Sequence, residues 1–144
     1  METGRGLTRY PDWRKRLEIA IETETKHLFA WGEHDCCLVA FGLVRAITGA
    51  DLFPYRGNRY SSLKGLRDIG LADFDDAVTT EDLAGRILGT SIDAGAARVG
   101  DMMYFEKGAW NSLGTMTAMG AMFRGYDGMI FMPPSRCKGA WKIG

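Results

Sequence analysis

Apolar residues recur with a helical period through the first half of the chain and in short strand-like runs through the second. Tyr10-Pro11-Asp12 reads as a helix start, with proline tolerated in the first turn. Trp13, Leu17, Ala20, Ile21, Glu24 and Leu28 follow at three- and four-residue spacing and predict an amphipathic helix of about four turns. The clearest element comes next. Cys36, Val39, Ala40, Leu43, Val44 and Ile47 fall on one helical face, with Asp35 as N-cap and Gly49 as C-cap. Asp51 to Gly57 reads as an irregular loop with apolar anchors. Ser61 or Ser62 caps a short helix through Ile69, with Gly70 as its stop. Thr79-x-x-Asp82 resembles a capping box and opens a helix to about Leu88, ended by Gly89.

From Arg98 the period changes. Met102 to Phe105, Leu113 to Ala118, Ala121 to Arg124 and Met129 to Phe131 read as strands, and Ala140 to Ile143 as a last edge strand. Tyr126-Asp127-Gly128 is a hairpin turn signal and Trp110-Asn111 a loop tip. Helices first and a strand meander afterwards imply an α+β fold, an antiparallel sheet with the cysteine helix packed on it. Residues 1–9 read as a loose N-terminal arm and 10–144 as a single domain, which suits a length of 144 residues.

Composition narrows the function classes. Eighteen basic residues balance eighteen acidic ones, so nothing overall argues for nucleic acid or an anionic membrane as partner. The start is polar and charged from Met1 to Arg16, without a secretory signal, and no apolar run reaches membrane-spanning length. A soluble product of the cytoplasm is the expectation. Nineteen glycines fit a turn-rich β component. The acidic stretch Leu71 to Val78 lacks the ligand spacing of a calcium loop. Cys36, Cys37 and Cys137 lack the spacing of a zinc site, and an odd count argues against a disulfide framework. Neither a metal nor a cofactor is expected. Seven of the eight methionines lie between Met102 and Met132. They read mainly as core, with an interface open for Met116, Met119 and Met122.

Cys36 is the candidate for chemistry. A helix N-terminus carries partial positive charge and lowers the pKa of a thiol there. The pattern alone favours a plainer reading, an N-cap followed by two small buried residues.

Further motifs add a resemblance. Trp31-Gly32-x-x-Asp35-Cys36 before a buried helix resembles the nucleophile motif of NlpC-type cell-wall peptidases, a branch of the papain-like superfamily. Arg98-Val99-Gly100-Asp101 leading into Met102 to Phe105 is similar to the stretch that opens that superfamily's central sheet. The chain resembles still more the small NlpC-like proteins encoded among tail genes of long-tailed phages, prophages and gene-transfer particles. The shared features are the Trp-Gly-x-x-Asp-Cys-Cys start, a segment like Tyr126 to Pro133, and the ending Cys137-Lys138-Gly139-Ala140-Trp141. The likeness covers most of residues 29–143.

The resemblance implies a papain-like, NlpC-type fold, with Cys36 at the nucleophile position and Trp31 and Asp35 supporting it. The family's base is a histidine in a His-hydrophobic-Gly pattern, and here Ser112-Leu113-Gly114 is the match. A serine hydroxyl is no base near neutral pH. His34, two residues before Cys36, reads as a turn residue at the surface, and His27 as a helix C-terminal residue. The Asp35 carboxylate should raise the Cys36 pKa, so slow, ordinary alkylation of Cys36 is expected.

The implied function is structural: a virion protein of a phage or phage-like tail tip, in the baseplate or hub region, built on a non-catalytic version of the peptidase fold. Its partners would be the hub and the fibre-bearing protein, with contact to peptidoglycan. Trp110, Met116, Met119 and Phe131 are candidate contacts. The alternative is an active peptidoglycan endopeptidase, a cysteine peptidase opening the cell wall during genome delivery. Between them stands a binding module that keeps the groove without the chemistry.

Overall fold

The computed structural model describes residues 6–144. Four helices precede the sheet: α1 (Trp13–Thr25), α2 (Cys36–Thr48), α3 (Leu63–Asp73) and α4 (Thr80–Leu88). Five strands follow: β1 (Met102–Lys107), β2 (Trp110–Thr117), β3 (Gly120–Gly125), β4 (Gly128–Met132) and β5 (Gly139–Trp141). They form one antiparallel sheet in the order β4-β3-β2-β1-β5. The expected α+β class is the observed one.

α2 is the central helix. The Asp35 carboxylate accepts a hydrogen bond from the Leu38 amide, and Gly49 closes the other end in the left-handed region at φ +81°. The helix buries Leu38 and Phe41 besides the face the spacing indicates, so it is covered nearly all round. Each large apolar side chain it buries contributes roughly 2 kcal/mol. One face of the sheet, through Met102, Tyr104, Leu113, Met122 and Trp141, joins α2 in the main core. The other face carries a smaller cluster of Met103, Phe105, Ala121, Phe123 and Ala140 with Ala94 packed on it.

Several expectations need correction. α1 ends at Thr25, and Leu28 is left 85% exposed in the turn beyond it. α3, capped by Ser62, runs through Gly70 to Asp73. Gly70 is a packing glycine, because a Cβ there would stand 2.5 Å from the Ala77 carbonyl oxygen. Trp110 and Asn111 lie within β2, and the tip of that hairpin is Gly108-Ala109. Of the expected loose arm, residues 1–5 lie outside the described residues, and Leu7 and Arg9 are docked on the domain. Leu7 is buried, and the Arg9 guanidinium donates to the carbonyls of Ile143 (2.6 Å) and Val99 (2.8 Å) and to Asp101 Oδ1 (3.0 Å). The capping box predicted at Thr79 and Asp82 is present, with both reciprocal bonds formed.

Candidate functional site

The segment Trp31 to Asp35 is a tight turn held from three sides. Gly32 sits at φ +80° against the Tyr60 carbonyl, where a side chain would collide. Its amide donates to Asp35 Oδ2 at 2.9 Å, and its carbonyl accepts from Gly57 at 3.2 Å. The Tyr60 hydroxyl donates to the same Asp35 oxygen at 2.5 Å. Asp35 is fully buried and therefore caps the helix and ties the turn to the loop before α3 at once. Burial beside that carboxylate pushes the Tyr60 hydroxyl far above its ordinary range.

Cys36 occupies the first position of α2, half-buried, and lines a cleft of about 820 Å³. Ser112, on β2 and only 1% exposed, lines the same cleft. The two residues the resemblance pairs are thus brought together. The Cys37 thiol, then the Ser112 hydroxyl and the Leu113 backbone amide, favour the ionised form of Cys36. Burial and the Asp35 charge oppose them, and the balance lies below the ordinary thiol value of 9.0. The Asp35 charge raises the Cys36 pKa as expected, and these other groups outweigh it. Cys37, wholly buried and facing Cys36, is pushed well above the ordinary value. Cys36 is therefore the first of the pair to ionise.

The histidines are turned elsewhere. His34 Nδ1 bonds Glu24 Oε2 at 2.9 Å, and its ring stacks on His27 with centroids 4.1 Å apart. His34 is half-buried against α1, not free at the surface as its turn position suggests. Glu24, itself buried, also pairs with Arg56 at 3.3 Å. His27 lies beyond the end of α1, and its carbonyl accepts from Arg124. Arg124 also donates to the Glu24 carbonyl at 3.2 Å, fixing the end of α1 to β3 at one wall of the cleft.

Trp31 does not line the cleft. It packs edge-on against Phe29 at 5.0 Å, and Phe29 meets Tyr126 at 4.5 Å, so an aromatic group forms one rim. Trp110, Asn111, Arg67 and Met129 contribute other walls. Asn111 is spent on α4, accepting from the Thr80 amide and hydroxyl. Among the expected contact residues, Trp110, Met119 and Phe131 are exposed, whereas Met116 is half-buried against the second cluster. Sequence reasoning missed Tyr60, Leu113 and Arg124. Only the fold brings Tyr60, 25 positions from Asp35, beneath it, and no local pattern marks it.

The described residues contain no group of three or more His, Cys, Asp or Glu side chains placed to hold a metal ion. No helix among them is long and apolar enough to cross a membrane.

Fold and site together define an α+β protein with a helix-N-terminal cysteine set against a strand serine at an open cleft. The chain belongs to the family described as a domain of unknown function (DUF6950), which matches residues 8–143. No curated protein and no solved structure shows a significant match to it.

Proposed function

We propose that this chain is a structural component of a phage-like tail tip, built on an NlpC-type, papain-like fold whose catalytic pair is incomplete. The observation that carries the reading is Ser112, where the family's histidine would face Cys36. The motif set from Trp31 to Trp141 supports the tail-gene kinship.

The lowered Cys36 pKa favours a second reading, an active endopeptidase, and chemistry weighs against it. A thiolate can attack an amide carbonyl. The tetrahedral intermediate collapses forward only when an acid protonates the departing amine. An imidazolium supplies that proton in a cysteine–histidine pair. Ser112 cannot, because its hydroxyl is far too weak an acid, and neither His34 nor His27 lines the cleft at Cys36. A lowered thiol pKa is thus compatible with a fold that cleaves nothing, and the open cleft is then free to receive a segment of a neighbouring tail protein.

The test has two arms. Purified protein incubated with labelled peptidoglycan should release no stem-peptide fragments at any pH between about 5 and 9. Antibody against the chain should decorate the distal end of tails in particles induced from the host. Fragment release that disappears in Cys36→Ala would establish the enzyme instead. Particles lacking the chain altogether would remove the tail-tip assignment.

A further inference from the structure

The two edges of the sheet are treated differently. At β5 the backbone groups of Ala140 that face away from β1 are satisfied by Ile92, with bonds of 2.7 and 3.1 Å. At β4 nothing comparable is present. The hairpin joining β3 to β4 pairs Gly125 with Gly128 across Tyr126-Asp127, so that pair must be hydrogen-bonded. Pairs alternate along an antiparallel ladder, which makes Phe123 with Ile130 and Ala121 with Met132 the other bonded pairs. The N–H and C=O groups of Met129 and Phe131 therefore point outward. No hydrogen bond among the described residues reaches them.

The strand is short and Pro133-Pro134 ends it, but within it the usual safeguards are missing. Exposed strands are normally blunted by charge, proline or a bulge. Gly128 to Met132 carries none of these, pairs in unbroken register, and leaves Ile130 and Phe131 exposed.

We infer that the outer edge of β4 is a self-association surface, on which β4 of a second copy pairs antiparallel, Met129 of each chain opposite Phe131 of the other, merging two sheets into one.

The register is dictated by the open groups. A two-fold axis at Ile130 sets Met129 of one copy against Phe131 of the other, and the same again on the far side. Every outward donor then meets an outward acceptor. No other antiparallel register of the strand with itself satisfies both residues. The flanking charges agree with it. The charged residues nearest to Ile130 along the chain are Asp127 on one side and Arg136 on the other. Antiparallel pairing brings the acidic end of one copy to the basic end of the next, whereas parallel pairing would set like against like. The two Ile130 side chains meet at the axis as an apolar pair. A contact confined to one short edge lies at the small end of the interface range, so the dimer is weak and concentration-dependent.

The test uses the full chain at concentrations from about 1 μM to about 300 μM. Sedimentation velocity should show a monomer at the low end and a dimer at the high end. Hydrogen exchange should show the Met129 and Phe131 amides protected only at the high end, with the Ile130 amide protected throughout. Phe131→Pro removes an outward donor and leaves the β3–β4 ladder intact, because that N–H is not used there. Ile130→Lys sets two like charges at the axis. Each should weaken the dimer about tenfold or more, while Met119→Lys, in the exposed β2–β3 turn, should leave it unchanged. A monomer at every concentration overturns the inference. So does a dimer in which the Met129 and Phe131 amides exchange as freely as in the monomer, a measurement on the unsubstituted chain that holds even if a variant misfolds.

Discussion

Tyr60 and Asp35 meet through a 2.5 Å hydrogen bond beneath the turn that presents Cys36. The carboxylate already serves the amides of Gly32 and Leu38, so both its oxygens accept hydrogen bonds in a site closed to water. The hydroxyl is the one contact that ties this carboxylate to the segment leading into α3.

Replacing it tests this arrangement. Tyr60→Phe keeps the ring and removes the donor to a buried charge, which should cost about 1.5–3 kcal/mol. Urea unfolding should show a lower midpoint with an unchanged slope. A cost within error would mean that water replaces the hydroxyl and that the turn does not depend on it.

The three thiols should separate by pH. Cys36 should alkylate with a midpoint below 9.0, held down by the Cys37 thiol and by the donors of β2. Cys137, raised by burial to about 11, should react only in strong alkali, and Cys37 only on unfolding. Stability shifts with the same proton. Cys137 binds it more tightly folded than unfolded, so its contribution is intact below pH 9.0 and is lost as pH rises toward about 11. Mass-spectrometric mapping of iodoacetamide adducts across pH measures the order. Ser112→Ala should move the Cys36 midpoint upward, since it deletes one donor.

Asp101 should prove a structural latch. It accepts from Arg9, from the Arg98 amide at 2.9 Å and from the Ile143 amide at 2.9 Å, and so holds residues near both ends of the described chain. Asp101→Ala leaves the Arg9 guanidinium without its counter-charge and should cost about 3 kcal/mol. A double-mutant cycle with Arg9→Met should recover part of that loss, which thermal or denaturant unfolding can read.

Gly70→Ala distinguishes propensity from packing by its sign. In a solvated helix interior the change gains about 1 kcal/mol. Here the new methyl would stand 2.5 Å from the Ala77 carbonyl oxygen, which is backbone and cannot turn aside. The variant should be less stable than the parent by about 1–3 kcal/mol, and a gain in melting temperature would refute the close approach.

Elements whose ends are fixed by neighbouring residues are legible in the amino-acid order. Asp35 and Gly49 bound α2, Thr79 and Asp82 form their box, and Tyr126-Asp127 turns the last hairpin, because each is a bond between groups a few positions apart. The errors fall where a distant group intervenes. Gly70 reads as a stop because nothing local reveals Ala77 against it. Arg9 reads as part of an arm because its partners lie some ninety positions onward or at the far terminus. Leu28 continues a periodic pattern that the turn toward His34 interrupts.

The amino-acid order by itself settled the α+β class and the cysteine at a helix start. These rest on short-range periodicity, capping and motif order, which need no knowledge of the rest of the molecule. The tertiary structure decided what surrounds that sulfur. It brought Ser112 to the same cleft as Cys36, Tyr60 beneath Asp35 and Glu24 to His34. The physical reason is that the electrostatic environment of a group depends on charges and donors within a few ångströms in space, and chain separation carries no information about that distance.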